Sequence, residues 1–500
     1  MFEVFEMYIE ASGPLYSFVG IIYGLICGAL PGIGPVYALA LLLPLTYGMS
    51  STTAIVLLLS TYCGAVCGGA IPAALLNMPG TNGSIATCFD GFPLTRKGYG
   101  GRSIGLVMMA SALGGLIGAL SLMTIGPLMG QIAAQVSSPA YFMLILFAFV
   151  MISLASRGQM VKGMFMAATG VTIAMVGRDV ITGTQRFTFD VLLLQDGIPF
   201  APAVIGMFAF AQIIVFVKEG QVVQQEGKSS EAEKGLIGKA FFGALRVFRY
   251  PFTVIRNGVT GVFFGIIPAI GINVSGLLNY TIEQSMASEE NKKKFGTGYE
   301  KGIIAPEAAN NATAYGSLST AFALGIPGGA ADAILLAALM MHGLDIGRSF
   351  FTAETFDVFI LSMYIAPLLI LLIGILLSQY IVKVTFIPLK YTMPVVATLC
   401  VIGSFAYRGH MFDVYVMLAF ALLGYIFTRY GFPKANLVVG LILGRELETH
   451  FNRSLIFSDG SYSIFLTDTV SLIIFIVIVI LILSPFISSF FKRGSKTSAS

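Results

Sequence analysis

The sequence of 500 residues has few of the residues on which soluble enzymes and nucleic-acid-binding proteins depend. It contains no tryptophan and only three histidines, and charged residues make up 11% of it, whereas soluble domains carry about 25%. No His-Glu-x-x-His or Cys-x-x-Cys motif offers a familiar metal site, and no Gly-x-x-x-x-Gly-Lys-[Ser/Thr] motif offers a nucleotide site. The net charge of +4 is spread over loops and predicts no nucleic-acid partner.

Cysteine is also scarce. Cys63 and Cys67 are one helical turn apart, a spacing that suits metal or redox chemistry as well as helix contacts. Because all the cysteines lie in apolar surroundings, we interpret these two as small residues where helices approach closely. The cysteines are Cys27, Cys63, Cys67, Cys88 and Cys400. We expect no cofactor and no structural metal.

Long apolar segments dominate the chain, because hydrophobic residues make up 56% of it and 57 glycines come in addition. A helix of about 20 apolar residues spans a bilayer. The segments near or beyond this length are Tyr141–Ala155, Pro199–Val217, Phe356–Val382, Met411–Phe427 and Leu466–Phe491. We predict an all-α polytopic membrane protein with about 10–12 transmembrane helices. The acidic start of the sequence predicts no cleavable signal peptide.

The distribution of charge divides the chain into two apolar halves. We predict a first transmembrane repeat at 1–217 and a second repeat with extra C-terminal helices at 251–491. Between them lies a polar linker, 218–250, and the chain ends in a basic tail, 492–500. Seven basic and four acidic residues in Lys218–Arg256 place the linker in the cytoplasm by the positive-inside rule, as the basic residues of the tail do for the tail.

Each half contains two short segments in which proline and glycine interrupt an apolar run. Pro31 and Pro79 mark them in the first half, and Pro268 and Pro327 mark them in the second, at offsets of 237 and 248 residues. In lipid, the backbone groups freed by such breaks need cover from protein or a watery cavity. Matched breaks indicate a duplication and a transporter site near the bilayer midplane. We expect inverted repeats. Each half then makes an odd number of membrane crossings, whereas an even number would make the repeats parallel.

The broken segments supply the candidate substrate-binding residues. Where a helix restarts after a break, its unpaired N–H groups and positive dipole suit a carboxylate, and nearby hydroxyls and amides add donors. The alternative for the segment around Gly80 is a tight interfacial turn with capping residues. The candidates are Gly32, Gly34, Asn77, Pro79, Gly80, Thr81, Asn82, Ser84, Asn273, Asn310, Asn311, Pro327 and Gly328.

Glu307 lies in the densest polar run of the chain, Ala305–Ala312. We predict that it takes part in ion coupling at the start of an apolar helix, because an intramembrane carboxylate is costly and functional by default. The alternative is a first-turn acid after Pro306 that complements the helix dipole near the interface. Asn279 is a second candidate for ion coupling. The residues leave Na⁺ and H⁺ both open as the coupling ion.

Several runs in both halves match the motifs of a known family. The most specific is Ala-Pro-Glu-Ala-Ala-Asn-Asn-Ala at 305–312. The others are Pro31–Pro35 with Ala38–Ala40, Tyr62–Gly64 with Gly68-Gly69 through Pro79-Gly80-Thr81, Asp90–Leu94 with Arg96–Gly98, Phe295-Gly296 with Gly302, Leu324–Gly328, and Leu443–Glu448 with Arg453–Leu455 and Ser458–Gly460. On these runs the chain, over 14–470, resembles the large membrane subunit of the tripartite tricarboxylate transporter family. Ala269, where glycine is usual, and Cys67, where tyrosine is frequent, depart from the pattern.

The resemblance implies a non-enzymatic, secondary, ion-driven importer of carboxylates that works by alternating access in the bacterial inner membrane. Citrate or a related di- or aromatic carboxylate would be the substrate. The resemblance also implies two partners, a small membrane subunit of about four helices and a periplasmic solute-binding protein, besides membrane lipid.

Two other classes of membrane protein compete with this interpretation. A passive anion channel would need a repeated, ring-forming filter sequence, and none is visible. An integral-membrane enzyme would need clustered acids or a His/Glu metal site, whereas the acids here are scattered and the histidines lie in separate segments. A purely structural subunit has no need for paired asparagines at apolar helix breaks.

Overall fold

The computed structural model of the chain describes residues 2–30, 34–156, 159–179, 181–219, 236–268, 271–344, 346–384 and 389–497. These residues are almost entirely helical. Their strands form one antiparallel hairpin of Gly177–Arg178 (β1) and Gln185–Arg186 (β2). The predicted all-α fold is therefore confirmed.

The helices follow one another along the chain with short connections. In chain order they are α1 (Phe2–Glu10), α2 (Gly13–Ala29), α3 (Gly34–Leu42), α4 (Ser51–Gly68), α5 (Ala70–Leu76), α6 (Thr87–Leu94), α7 (Gly100–Ala133), α8 (Ser138–Leu154), α9 (Met160–Ala174), α10 (Phe200–Val204), α11 (Ala211–Glu219), α12 (Leu236–Leu245), α13 (Pro251–Ile266), α14 (Gly271–Ser285), α15 (Glu289–Lys292), α16 (Glu300–Leu324), α17 (Ala330–Met341), α18 (Arg348–Thr352), α19 (Glu354–Val384), α20 (Leu389–Ala406), α21 (Met411–Arg429), α22 (Lys434–Phe457), α23 (Ile464–Thr467) and α24 (Thr469–Thr497). Shorter 3₁₀ or π turns are Leu43–Thr46, Asn82–Ser84, Thr95–Tyr99, Leu192–Leu194, Ile205–Phe210 and Arg246–Arg249.

Several helical segments are long and apolar enough to cross a membrane. Within the described residues there are five, namely Ser51–Leu76, Thr87–Ala133, Phe200–Lys218, Thr355–Lys383 and Met411–Arg429. The bent pair formed by α1 and α2 would make a sixth, and further apolar helices such as α8, α9 and α17 are shorter. The chain is thus a multi-pass membrane protein, and the number of 10–12 crossings stays a prediction.

Two compact units make up the chain. The first comprises Met1–Gln131 and Pro199–Tyr430, and the second comprises Ile132–Ile198 and Gly431–Ser500. Each unit combines two segments that are far apart in the sequence, because long-range helix packing rather than chain order defines it. The two predicted repeats follow chain order, whereas these units follow contacts, so the division into repeats stays a prediction.

The two pairs of helix breaks have matching backbone geometry. The helix before the first break ends at Leu30 with φ −76° and ψ 116°, and its counterpart ends at Ile267 with φ −80° and ψ 115°. The later breaks begin at Asn77 and Gly325, which both cap a helix in the left-handed conformation, with φ 59° and 67°. A proline follows each cap two residues later, a usual helix stop. This similarity is the one that a duplication would produce.

Helix pairs beside these breaks pack through glycines. A Cβ on Gly24 of α2 would overlap the carbonyl oxygen of Thr61 in α4, and a Cβ on Gly64 would approach that of Ile21. In the same way, Gly261 of α13 faces Ala309 of α16. Small residues let helix backbones approach closely in membranes. The five cysteines are buried and free of disulfides, and the burial of Cys63 and Cys67 agrees with their interpretation as small residues where helices approach closely.

The predicted linker is helical where it is described. After residues 220–235, which lie outside the described part, α12 and the turn Arg246–Arg249 lead directly into α13. At the other end of the chain, α24 continues to Thr497, so the first part of the predicted tail extends a helix.

Candidate functional site

The first-half break around Pro79 forms a compact turn. Ser84 Oγ donates to the carbonyl oxygen of Thr81 at 2.9 Å and lies 3.2 Å from Thr81 Oγ1. The Gly80 amide donates to Gly69 O at 3.1 Å. We expected a helix to restart at this segment, but it forms a 3₁₀ turn and α6 begins only at Thr87. Thr81 and Ser84 form a capping box on this turn.

Other candidates of this break lie at its edge. Asn77, Pro79 and Asn82 are exposed. Gly34, at the start of α3, has φ 58°, and a Cβ there would lie 3.9 Å from the Thr81 methyl group. Gly34 therefore lies beside the turn, as a shared site requires. Gly32 lies outside the described residues.

Asn310 of α16 lies against this turn. A Cβ on Gly83 would overlap the Asn310 amide, and Gly276 of α14 packs on the Gly83 carbonyl oxygen. Asn310 is only 1% exposed, and neither Oδ1 nor Nδ2 has a hydrogen-bond partner among the described residues. A buried polar group without a partner costs about 1–3 kcal/mol. The amide is therefore a donor and acceptor at the break that a bound ligand can satisfy.

Glu307 lies one helical turn before Asn310 and is fully buried. It accepts hydrogen bonds from Thr87 Oγ1 of α6 and from Ser111 Oγ of α7, the latter at 2.9 Å. Within the described residues no Lys, Arg or His pairs with it. Three helices thus converge on a carboxylate whose partners are neutral hydroxyls.

The start of α16 corrects one expectation. The helix begins at Glu300, seven residues before Glu307, so Glu307 does not open it and is not a first-turn acid. Arg102 and Arg246 both bind Glu300, which holds the charged first turn in the helix. Pro306 is accommodated inside it.

The remaining amides make bonds within their own helix bundle. Asn311 Nδ2 donates to the backbone oxygen of Glu307 at 3.2 Å. Asn279 is fully buried, its Nδ2 donates to Ser275 O at 2.9 Å, and its Oδ1 accepts from Thr260 Oγ1. The bond between Thr260 and Asn279 joins α13 to α14. Asn273 lies in α14, and its side chain is outside the described residues.

The second-half break contains a carboxylate that sequence reasoning missed. Asp332, in the first turn of α17, is fully buried. Its Oδ1 accepts from Tyr62 OH of α4 at 2.6 Å, and its Oδ2 accepts from Ser317 Oγ of α16. A Cβ on Gly328 would overlap the Ser317 hydroxyl, and Pro327 is buried beside it. The available signal was an acid at the start of the apolar helix after a Pro-Gly-Gly break.

The residues around the first-half break and those around the second-half break both contact α16, but at different positions along the helix. Asn310 contacts the first-half break and Ser317 contacts the second-half break. Seven residues of helix separate them, which corresponds to about 10 Å. The structure therefore places the breaks on one helix, about two turns apart.

A further buried carboxylate joins two of the sequence motifs. Asp90 of α6 accepts from the backbone amides of Gly296, Gly298 and Tyr299 at 3.1, 2.8 and 2.7 Å. Tyr280 OH also donates to it at 3.0 Å. This fully bonded carboxylate fixes the loop before α16 and leaves no capacity for a ligand, so its role is structural.

Comparison with known proteins identifies the family. The profile of the tripartite tricarboxylate transporter TctA family matches residues 15–439. The chain belongs to this family. Membership confirms the resemblance and makes the chain the large membrane subunit of a tripartite transport system, which works with other subunits.

Two relatives from Agrobacterium vitis agree with the assignment. The chain is 30% identical over 471 residues to an uncharacterized 52.8 kDa protein in the TAR-I ttuC′ 3′ region, covering 93% of this chain and 92% of that protein. It is 32% identical over 234 residues to an uncharacterized protein in the TAR-II ttuC′ 3′ region, covering 46% of this chain and 96% of that protein. No solved structure matches the chain.

Proposed function

We propose that this TctA-family subunit imports a carboxylate by ion-gradient-driven alternating access. The observation that carries the proposal is the Asn310 amide, buried and without a partner where α16 meets the turn at Gly83. Its Nδ2 can donate to a substrate carboxylate, and its Oδ1 can accept from a substrate hydroxyl or bind a cation. Gly34 and Thr81, which lie beside each other at the same break, would contribute to the wall of this site.

Ion coupling is assigned to buried carboxylates. Among the described residues, Glu307 accepts only from the hydroxyl groups of Thr87 and Ser111, and Asp332 accepts from Tyr62 and Ser317. Carboxylate, hydroxyl and amide oxygens suit Na⁺, and a buried carboxylate without a cationic partner equally suits a proton. Glu307 is the first candidate, because it lies one turn from Asn310.

The substrate class follows from the chemistry of the site and the name of the family. A tricarboxylate such as citrate is our first candidate, followed by di- and aromatic carboxylates, which need the same donors. The partners would be a small membrane subunit and a periplasmic solute-binding protein in the inner membrane of a bacterium. The tripartite name of the family supports this assembly.

Uptake of radiolabelled citrate tests the proposal. Vesicles that contain the chain with its partner subunits are given a Na⁺ gradient or a pH gradient separately. We expect saturable accumulation above the external concentration under one gradient, and loss of accumulation when an ionophore dissipates it. Flux that only equilibrates citrate and does not saturate would favour the passive channel instead. Dicarboxylates and aromatic acids, tested as competitors, define the substrate.

A further inference from the structure

A basic cavity lies beside α12, away from the helix breaks. Its volume is about 340 Å³. The cavity is lined by residues of the π turn, of α7, of α12 and of the 3₁₀ turn that follows α12, namely Gly98, Tyr99, Arg102, Lys239, Phe242, Gly243 and Arg246. None of these residues belongs to the helix breaks.

Helix α12 packs on the protein through its small residues and leaves its large apolar residues exposed. Its small residues face inward, since Ala240 and Ala244 are buried and a Cβ on Gly243 would lie 2.6 Å from Arg102 O. Its large apolar residues face outward, and Phe242 is 70% exposed. The exposed apolar side chains of this region are Ile237, Phe241, Phe242, Leu245, Phe248 and Phe252. A short helix with such an outer face and adjacent basic residues is typical of a segment that lies in the membrane interface.

Glu300 fixes the cationic groups of the cavity. The Nε and Nη2 atoms of Arg102 and Arg246 donate to its carboxylate, which is only 5% exposed, and Tyr250 OH donates to it at 2.8 Å. Each guanidinium has five N–H donors, so both keep donors that Glu300 does not use. Lys239 also lines the cavity, so three basic side chains surround it.

We propose that the cavity binds the phosphate headgroup of an anionic phospholipid. Two positioned guanidinium groups and a lysine are the donors that a phosphodiester requires. Phe242 lines the cavity, and it and the neighbouring Phe241 are exposed, so they offer an apolar surface for the acyl chains of such a lipid. This apolar continuation distinguishes a lipid from a free phosphate ion. Basic pockets of this kind next to membrane helices bind lipid headgroups.

Lipid titration of the purified full chain tests the proposal. Native mass spectrometry in an uncharged detergent measures binding of dioleoyl phosphatidylglycerol, with dioleoyl phosphatidylcholine as the zwitterionic comparison. We expect the anionic lipid to bind more tightly. Lys239→Gln should weaken this binding about fivefold, the effect of one cation near the lipid surface. Lys293→Gln, the same change at an exposed position away from the cavity, should leave it unchanged.

Two further measurements test the acyl contact and distinguish a bound lipid from a free phosphate ion. Phe242→Ser should also weaken binding of the anionic lipid, because it removes an acyl contact and keeps every charge. Inorganic phosphate at the concentration of the lipid should not displace it. Equal binding of both lipids, equal effects of Lys239→Gln and Lys293→Gln, an unchanged affinity in Phe242→Ser, or displacement by inorganic phosphate would overturn the proposal.

Discussion

The hydroxyl group of Tyr62 donates a 2.6 Å hydrogen bond to Oδ1 of Asp332, 270 residues further along the chain. Tyr62 lies in the middle of α4, and Asp332 follows the second-half break. The 248-residue spacing between the later breaks also relates Tyr62 to Asn310, and Asn310 lies against Gly83 after the first-half break. In both cases a residue of the helix before one break contacts the segment that follows the break in the other half. It is the arrangement that paired repeats would give a transporter.

The Tyr62 bond can be removed without changing the volume of the core. Tyr62→Phe should leave membrane insertion intact and reduce gradient-driven uptake, because Asp332 loses a donor worth about 1.5–3 kcal/mol. Tyr37→Phe is the control, since the Tyr37 hydroxyl has no hydrogen bond among the described residues. Uptake kinetics of inserted protein measure the effect. If the two variants transport alike, the Tyr62–Asp332 bond has no part in coupling.

Substitution of Asn310 separates ligand binding from stability. Asn310→Ala breaks no hydrogen bond within the described residues, so the melting temperature in detergent should change little. The apparent constant for substrate or cation should rise about 5- to 150-fold, which corresponds to a lost bond of ~1–3 kcal/mol. Asn279→Ala, by contrast, should lower the melting temperature, because Asn279 joins α13 to α14. A rise of less than about twofold in Asn310→Ala would contradict the assignment.

Glycines at the two later breaks should differ in their tolerance of a methyl group. Gly80→Ala places a Cβ against the backbone of Gly28, which cannot move, whereas Gly328→Ala meets the Ser317 hydroxyl. Overpacking of this kind costs about 1–3 kcal/mol. We expect uptake to fall in both variants and to recover only in Gly328→Ala/Ser317→Ala. Gly48→Ala, which meets no atom within 4 Å, is the control.

Recovery in the double variant depends on Ser317 being dispensable for Asp332. Failure to recover, together with a normal Ser317→Ala single variant, would show that the contact with Gly328 is not the cause. Normal uptake by Gly80→Ala would contradict the close approach of Gly80 to Gly28.

Asp90 should matter for stability rather than for transport chemistry. Asp90→Asn replaces an acceptor of four hydrogen bonds by a group with one acceptor oxygen, and each lost bond to a charged group costs about 1.5–3 kcal/mol. The melting temperature in detergent should fall by several degrees. Glu290→Gln, which breaks an exposed ion pair with Lys294, should leave the melting temperature almost unchanged. Equal melting temperatures would refute the structural role of Asp90.

Much of the fold follows from local sequence, because hydropathy and Pro/Gly breaks act over short distances. The helical class, the apolar spans that contain Phe356–Val382 and Met411–Phe427, and the family are confirmed. The start of α16 could not be predicted, since the charged residue Glu300 is held in the helix by two arginines far away in sequence. A local pattern instead favoured a helix start at Pro306.

The candidate site was predictable in its polar residues but not in its contacts. Asn310 stands out in the sequence as an amide in an apolar run, and its environment at Gly83 depends on packing between distant segments. The local signal for Asp332, an acid after a Pro-Gly-Gly break, was overlooked, whereas its contact with Tyr62 across 270 residues depends on packing in the same way. The glycines of the breaks were expected to admit substrate, whereas Gly80 and Gly328 face protein atoms.

Concentrative uptake by Glu307→Gln tests the central claim most directly. Vesicles that contain wild-type or variant chain with the partner subunits receive radiolabelled citrate under separate Na⁺ and pH gradients. If Glu307 binds Na⁺, the variant should lose its dependence on Na⁺, and if Glu307 carries a proton, the variant should lose its dependence on pH. In either case citrate should no longer be concentrated by the gradient that drives the wild type. A Glu307→Gln protein that concentrates citrate with an unaltered response to both gradients would contradict the account.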